Sequence, residues 1–164
     1  MKNALSTFLF LFISSIGMAN GVEDSLVSTT DSSSLDLAKL EHIEGSCLGT
    51  QYKWGGESME GFDCSGFVRF VFKQLGIELP HSSKAISKMG KQIPLNEAKK
   101  GDLIIFTGHK DRAHVGHLGI VMDNEPDCLI FTHSSSAPKN NGVVRTNYYD
   151  SNYPNRFIKI IRLK

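Results

Sequence analysis

The sequence predicts an α+β domain. Two amphipathic helical patterns, at residues 35–48 and 64–75, come first, and apolar runs of strand length follow from residue 103 onward. Helices that precede a series of strands are typical of α+β folds, whereas regular alternation of the two indicates a parallel α/β sheet. The sequence contains no internal repeat that would suggest a solenoid or an array. We therefore expect N-terminal helices packed on a central antiparallel β-sheet.

Residues 1–19 have the pattern of a signal peptide. Lys2 gives a weak positive charge, residues 4–16 form an apolar run, and residues 17–19 supply the small side chains that a signal peptidase reads. The apolar run is shorter than the roughly 20 residues that span a bilayer, which argues against a membrane anchor. We expect cleavage after Ala19, export to the periplasm or the extracellular side of the envelope, and no stable membrane anchor.

The rest of the chain fits a short leader and one domain. Residues 20–34 are rich in Ser, Thr and Asp and have no sustained period, so they predict a flexible leader. Residues 35–164 suffice for one compact domain, which we expect to be a monomer. The chain carries 18 Lys and Arg against 17 Asp and Glu, and without a basic cluster it gives no support for nucleic-acid binding.

Helix signals bound the predicted helical segments. Ser34 is the predicted N-cap of the first helix. Asp63 is the predicted N-cap of the second helix, which begins at Cys64 and ends before Gly76. Between them, the glycine-rich residues 52–61 predict a loop. The expected buried positions are Leu37, Leu40, Ile43 and Cys47 on the first helix, and Phe67, Val68, Val71, Phe72 and Leu75 on the second.

The second half of the domain predicts strands. A short helix at residues 83–89 precedes them. Apolar runs bounded by Gly, Pro, Asn and Asp are typical of strands, and they lie at residues 103–106, 117–122, 128–133, 143–146 and 156–163. Residues 123–127 have turn composition and join the second and third runs into a hairpin.

Register within this hairpin selects two of the six histidines. With the turn centred on Glu125, His117 lies opposite His133, and directly opposed side chains share one face of a sheet. A slip of two residues keeps both on that face, whereas a slip of one separates them. His114 would point to the other face, although an uncertain strand start leaves it as an alternative base. The remaining histidines, His42, His81 and His109, are weaker candidates.

Cys64 is the predicted nucleophile. The N-terminus of a helix favours an anion, so we expect a lowered thiol pKa at this position. A single such cysteine with distant histidines is typical of a cysteine hydrolase. In that chemistry Cys64 attacks a carbonyl as thiolate, and a positively charged His117 stabilises the thiolate and later protonates the leaving amine. His133 orients His117 through its other ring nitrogen. Backbone N–H groups of Cys64 or Ser65 can hold the oxyanion.

The remaining cysteines raise the question of a disulfide, and the site residues raise the question of a metal. If Cys64 is the nucleophile, Cys47 and Cys128 are left as the pair that could form a disulfide in an exported protein. We predict that disulfide, although the sequence does not say whether the two residues meet. Cys64, His117 and His133 offer three zinc ligands without an apparent fourth, so we predict no metal and no cofactor.

Six motifs in this order resemble the NlpC/P60 cell-wall peptidases. They are Tyr52-x-Trp54-Gly55-Gly56, Gly61-Phe62-Asp63-Cys64-Ser65-Gly66-Phe67-Val68, Gly76-Ile77-x-Leu79-Pro80, Gly101-Asp102-Leu103, His117-Leu118-Gly119-Ile120 and Phe131-x-His133. The resemblance spans about residues 35–164. It implies a papain-like α+β fold, a Cys-His-His triad on Cys64, His117 and His133, and hydrolysis of amide bonds in the peptide stems of peptidoglycan.

The resemblance also implies roles for two further residues and leaves other functions open. Tyr52 would line the nucleophile, and Asp63, besides capping its helix, would contact a substrate amine. His81 stands where the family frequently has an arginine. A catalytically inactive peptidoglycan-binding protein and an antibacterial amidase effector are the alternative functions.

Overall fold

The computed structural model describes residues 35–163, so the predicted signal peptide and leader lie outside the described residues. Within that range the helices and strands follow in this order: α1 (Leu37–Cys47), β1 (Glu57–Ser58), β2 (Gly61–Phe62), α2 (Cys64–Gln74), α3 (Ser83–Ile86), β3 (Lys91–Ile93), β4 (Leu103–Thr107), β5 (Val115–Glu125), β6 (Cys128–Ser135), β7 (Gly142–Asn147) and β8 (Phe157–Arg162). None of the helices in this part of the chain has the length and apolar content of a membrane span.

One antiparallel sheet organises the domain. Its strand order is β3-β8-β4-β5-β6-β7, and every neighbouring pair is antiparallel. The small β1–β2 ladder lies in the segment that was predicted to be a loop. The predicted α+β class is therefore confirmed. The last strand in sequence, β8, lies inside the sheet between β3 and β4, so the C-terminal segment is held on both sides.

Each face of the sheet has its own apolar cluster. One cluster joins the sheet to α1 and α2 through residues such as Leu40, Phe67, Ile105, Leu118 and Ile120. The other covers the opposite face and includes Ile104, Phe106, Val121, Phe131, Tyr148 and Ile160. Because successive residues of a strand point to opposite faces, neighbours such as Ile104 and Ile105 serve different clusters. The predicted strand at residues 103–106 is thus buried on both sides.

The first helix differs from the prediction at its start and on its buried face. Asp36 is the N-cap, and its carboxylate accepts a hydrogen bond from the Lys39 backbone N–H at 2.9 Å, whereas the predicted cap, Ser34, lies outside the described residues. Leu37, predicted to be buried, is 44% exposed. The prediction that Leu37 is buried is therefore wrong, and the buried face of α1 instead includes Glu44, which is fully buried.

Glu44 ties α1 to the sheet. Its carboxylate accepts hydrogen bonds from Arg145 Nε at 2.9 Å, from Arg145 Nη2 at 2.5 Å and from the Thr132 hydroxyl at 2.5 Å. A two-pronged guanidinium–carboxylate pair is the strongest type of ion pair, and it compensates the cost of burying the charge. The apolar periodicity that predicted this helix gives no signal for such an internal carboxylate.

The second helix forms as predicted. It begins at Cys64, and the Asp63 carboxylate caps it by accepting a hydrogen bond from the Gly66 backbone N–H at 2.7 Å. Gly66 is required by close approach, because a Cβ built there would lie 2.0 Å from the carbonyl oxygen of Gly56. The glycine-rich loop thereby packs directly on the first turn of α2.

The central hairpin has a different register from the predicted one. Its turn is shorter, since β5 continues to Glu125, which pairs with Cys128, and Asp127 takes a left-handed φ of 58°. This register alone would place His117 and His133 on opposite faces. Met122 is an extra residue in β5, however, and beyond this bulge Val121 pairs with Phe131. The bulge restores even parity, so both histidines share a face as the sequence predicted.

The predicted Cys47–Cys128 disulfide is wrong. All three cysteines are free. Cys47 ends α1. The residues just after it contact the start of β7, where the Val143 carbonyl accepts a hydrogen bond from Gly49 N–H and Val143 N–H donates one to the Thr50 carbonyl. Cys128 begins β6 at the hairpin turn. From there the strand runs about 23 Å to Ser135, which pairs with Gly142 beside Val143. The two thiols thus lie at opposite ends of the sheet.

Candidate active site

A groove of about 1040 Å³ runs past the start of α2. Most of the predicted site residues line it: Tyr52, Asp63, Cys64, Ser65 and His117. Its other walls come from the loops at residues 108–111 and 135–138 and from Tyr153 and Arg156. His133 lies behind His117, with 2% of its surface exposed. The structure therefore brings residues from widely separated parts of the sequence to one cleft.

The Cys64 thiol is flanked by backbone donors but is also largely desolvated. Backbone N–H groups of Leu118, Ser65 and Cys64 lower its pKa, as expected at a helix N-terminus. Burial and the nearby Asp63 carboxylate act in the opposite direction and raise the pKa to about 11. The expectation of a lowered thiol pKa is therefore wrong for the resting site, because desolvation outweighs the helix N-terminus.

His117 and His133 form a hydrogen-bonded pair. His117 Nε2 lies 3.0 Å from His133 Nδ1, and the two rings meet nearly at right angles, 4.9 Å between centroids. Burial lowers the pKa of His117 well below its usual value, with the His133 and Arg156 charges adding to the effect. Burial, together with Arg156, lowers the pKa of His133 to about 3. At neutral pH both rings are uncharged, so the positive charge predicted on His117 is wrong for the resting site.

This geometry assigns the two ring nitrogens of His117 to different tasks. Because Nε2 faces His133, Nδ1 is the nitrogen left to exchange a proton with a group in the groove. His133 is held in turn at its far edge, where Nε2 lies 3.0 Å from the Thr146 hydroxyl. An uncharged thiol and an uncharged imidazole in one groove can react as an acid and a base during nucleophilic attack.

Two residues that contact the histidine pair were not predicted from the sequence. Thr146 lies on β7, and Tyr153 lies in the segment before β8; its hydroxyl is 3.2 Å from His117 Nε2. The predicted strand at residues 143–146 contains Thr146, but the hydroxyl of a strand residue carries no pattern that links it to a histidine. Tyr153 has no helical or strand period around it.

Asp63 is committed to the chain itself. Besides Gly66, its carboxylate meets the Gly55 backbone N–H at 3.1 Å, the Ser65 hydroxyl at 3.0 Å and His81 Nε2 at 3.1 Å. The predicted cap is confirmed, and these contacts also fix the loop beside the nucleophile. Contact with a substrate amine stays a prediction.

The remaining predicted residues are placed as follows. Tyr52 is half-buried on the groove wall, where burial, followed by the Cys64 and Asp63 charges, raises its pKa. Ser65 is buried, and since its hydroxyl donates to Asp63, its backbone N–H is the group left for an oxyanion. The alternative base, His114, is exposed and bonds the Asp111 carboxylate at 2.7 Å.

Two further alternatives concern other histidines and metal. His81 and His109 also line the groove, where His81 bonds the Asp63 carboxylate, and His42 lies on the exposed face of α1. Among residues 35–163, no group of three or more His, Cys, Asp or Glu side chains is arranged to hold a metal ion.

A thiol at the start of a helix, in one groove with a hydrogen-bonded histidine pair, is typical of cysteine hydrolases. Comparison with known families gives the same class. The NlpC/P60 family model matches residues 49–162, and the chain belongs to this family of cysteine peptidases. The recognition made from the sequence motifs is thereby confirmed.

Curated relatives match somewhat less than half of the chain. It is 41% identical over 69 residues to the murein DD-endopeptidase MepS/murein LD-carboxypeptidase of Escherichia coli, which covers 42% of this chain and 37% of that protein. The chain is 41% identical over 73 residues to the gamma-D-glutamyl-L-lysine dipeptidyl-peptidase of Bacillus subtilis, and the match covers 44% of this chain and 25% of that protein. A probable endopeptidase of Mycobacterium tuberculosis is 44% identical over 69 residues, covering 42% and 17%. The matched segment is thus well under half of each relative.

Solved structures share the fold. An NlpC/P60 family protein from Bacillus cereus superposes with a TM-score of 0.68 at 28% identity, covering 77% of this chain and 39% of that one. The peptidoglycan hydrolase RipB of Mycobacterium tuberculosis superposes with a TM-score of 0.62 at 24% identity, covering 77% and 64%. The predicted arrangement of helices on an antiparallel sheet is therefore that of NlpC/P60 domains.

Proposed function

We propose that this protein is an exported cysteine endopeptidase that hydrolyses amide bonds in the peptide stems of peptidoglycan. The observation that carries the proposal is the shared groove of Cys64 and His117, with His117 hydrogen-bonded to His133 behind it. The relatives named for murein and peptidoglycan hydrolysis support the substrate class. Export is supported by the pattern of residues 1–19.

The residues have distinct roles in the proposed reaction. His117 Nδ1 takes the thiol proton as the Cys64 sulfur attacks the carbonyl carbon of the scissile amide, forming a C–S bond. Backbone N–H groups at the start of α2 hold the resulting oxyanion. The C–N bond then breaks, His117 returns the proton to the leaving amine, and a thioester remains. Water then attacks the thioester carbon and gives a proton to His117, the C–S bond breaks, the new carboxylic acid leaves, and His117 returns the proton to the Cys64 sulfur.

His133 orients the reacting imidazole in this scheme. His133 accepts a hydrogen bond from His117 Nε2–H, and this bond keeps His117 Nδ1 unprotonated and directed away from His133. Such orientation is the role of the third member of a catalytic triad. The Thr146 hydroxyl fixes His133 from the other side. Tyr52 and the start of α2 then form the wall along which a stem peptide would lie.

Digestion of peptidoglycan tests the proposal. The mature protein should release stem-peptide fragments that mass spectrometry identifies, and Cys64→Ala should release none. Cys128→Ala is the matched control, because it removes a thiol at the hairpin turn, outside the groove, and should leave the release unchanged. Release by Cys64→Ala at the wild-type rate would disprove the nucleophile, and retention of fragments without cleavage by the wild type would favour a binding protein.

A further inference from the structure

Tyr153 places a hydroxyl where the two buried imidazoles meet. Its oxygen lies 3.2 Å from His117 Nε2 and 3.4 Å from His133 Nδ1, and these two nitrogens are 3.0 Å apart. The three atoms form a nearly equilateral triangle. We propose that Tyr153 is a positioning residue, whose hydroxyl shares the Nε2 edge of His117 with His133 and keeps the Nδ1 edge directed at the thiol. The inference rests on the proposed exchange of a proton between Cys64 and His117.

The ring of Tyr153 is fixed on several sides. It stacks on His117 at 5.6 Å with 23° between the planes, and it packs 4.6 Å from Phe106 and 4.9 Å from Phe131. The Arg156 guanidinium lies 5.1 Å from the ring centroid and donates to the Thr107 carbonyl at 2.7 Å. These contacts anchor the segment before β8 to β4, so the hydroxyl has little freedom to leave the histidines.

The hydroxyl matters most when His117 carries a charge. In the tautomer of the proposed mechanism, the resting His117 Nε2–H group donates to His133 Nδ1. After the thiol proton arrives at Nδ1, the imidazolium is buried, and its Nε2–H group faces two acceptors, the Tyr153 oxygen and His133 Nδ1. Hydrogen bonds from charged donors are roughly twice as strong as neutral ones. The phenol itself stays protonated, because burial raises its pKa to about 12.

The test combines a conservative variant with a matched control. Tyr153→Phe keeps the ring and removes only the hydroxyl. Tyr148→Phe removes a phenolic hydroxyl from the same apolar cluster, where the Tyr148 ring packs on Tyr149 and Phe157 and not on the histidines. The alkylation rate of Cys64 by iodoacetamide is measured from pH 6 to pH 11 in each protein, alongside kcat and KM on soluble peptidoglycan fragments.

Loss of the Tyr153 hydroxyl should slow both the hydrolysis of peptidoglycan fragments and the alkylation of Cys64, because both proceed through the His117 imidazolium. We expect kcat and the alkylation rate at neutral pH to fall about tenfold in Tyr153→Phe, with KM unchanged, and the alkylation difference to narrow toward pH 11, where the thiolate forms without His117. Tyr148→Phe should match the wild type. Unchanged alkylation and kcat in Tyr153→Phe would overturn the inference, and so would a rise in KM alone.

Two further readouts separate this inference from the proposed function. Alkylation needs no peptidoglycan, so a Tyr153-dependent rate in a protein that cuts no stem peptide would refute the substrate and keep the positioning role. Histidine-selective ¹⁵N NMR of the wild type, which needs no variant, should find the proton of His117 on Nε2. A resting His117 protonated on Nδ1 alone would overturn the inference.

Discussion

Gly119 lies against His133 with no room for a side chain between them. A Cβ at Gly119 would be 3.1 Å from His133 Cβ and only 2.7 Å from the carbonyl oxygen of Thr132. His133 lies on β6 two residues from the position opposite His117, so the two rings meet diagonally across β5 and β6. The absence of a side chain at Gly119 leaves room for this contact. The glycine of the His-Leu-Gly-Ile motif is therefore a spacing requirement of the histidine pair.

Gly119→Ala should separate this pair. Because the neighbours of the new Cβ are mostly backbone and ring atoms, we expect a loss of about 1–3 kcal/mol in the free energy of unfolding and at least a tenfold fall in kcat. The matched control is Gly45→Ala on α1, where a Cβ meets no atom within 4 Å and should not destabilise the protein. Urea unfolding and the digestion assay measure both effects. Wild-type kcat in Gly119→Ala would contradict the spacing argument.

Acid should destabilise the fold through the histidine pair. The pKa of His133 in the folded protein is about 3, below the value near 6.5 of an unfolded chain, so the unfolded state binds its proton first. Stability present above pH 6.5 is therefore lost as the pH falls toward 3, by up to about 1.4 kcal/mol per pH unit for this group.

His133→Gln isolates that contribution. The variant has no imidazole to protonate, so its free energy of unfolding should fall less than that of the wild type between pH 7 and pH 4.5. His42→Gln, on the exposed face of α1, should follow the wild type. Urea titrations at the two pH values measure the difference. Equal losses in the wild type and His133→Gln would contradict the assignment of the low pKa.

Sequence periodicity was enough for the helices and for the longer strands β4 to β8, because apolar spacing and caps such as Asp63 are local, but it did not predict the short strands β1, β2 and β3. Parity along two strands predicted that His117 and His133 share one face of the sheet. That placement is observed because the predicted register differs from the observed one by two residues beyond the bulge. The Met122 bulge itself was not predictable. It corrects the odd register set by the turn at Asp127, and a bulge leaves no mark in the alternation of residue types.

Burial and distant partners explain the rest. The thiol pKa was predicted in the wrong direction since a helix N-terminus is visible in the sequence, whereas the desolvation of Cys64 depends on the packed fold. Tyr153 and Thr146 reach the histidines from separate segments, and only the assembled sheet shows them to be neighbours. The buried ion pair of Glu44 was missed for the same reason, since its partner is 101 residues away.

Asp63→Asn should make Cys64 easier to ionise. The Asp63 charge contributes to the raised thiol pKa, second only to burial, and asparagine can still cap a helix. The alkylation rate at pH 8 to 9 should therefore rise above that of the wild type, opposite to the effect expected for Tyr153→Phe. Asp111→Asn neutralises another carboxylate on the groove wall, one that bonds His114, and should leave the rate unchanged. A slower rate in Asp63→Asn would contradict the sign.

Arg145→Met should destabilise the domain strongly. The Arg145 side chain is half exposed but Glu44 is fully buried, and leaving a buried carboxylate without its charged partner costs about 3–5 kcal/mol. Glu41→Gln is the control on the same helix, because the Glu41–Lys100 pair is exposed and contributes little. Urea unfolding at pH 7 compares them. Similar midpoints for both variants would show that Glu44 does not anchor α1.

Trp54 should report occupation of the groove. It is the only tryptophan in the chain, it is 88% exposed, and it lines the same groove as Cys64. A ligand that covers the indole removes it from water, so the fluorescence emission of Cys64→Ala should move to shorter wavelength when soluble stem peptides are added. The exposed Tyr149, outside the groove, offers a second position for an indole: Trp54→Phe combined with Tyr149→Trp should give no ligand-dependent shift. An unchanged spectrum in Cys64→Ala at peptide concentrations above KM would mean that stem peptides do not lie along this wall of the groove.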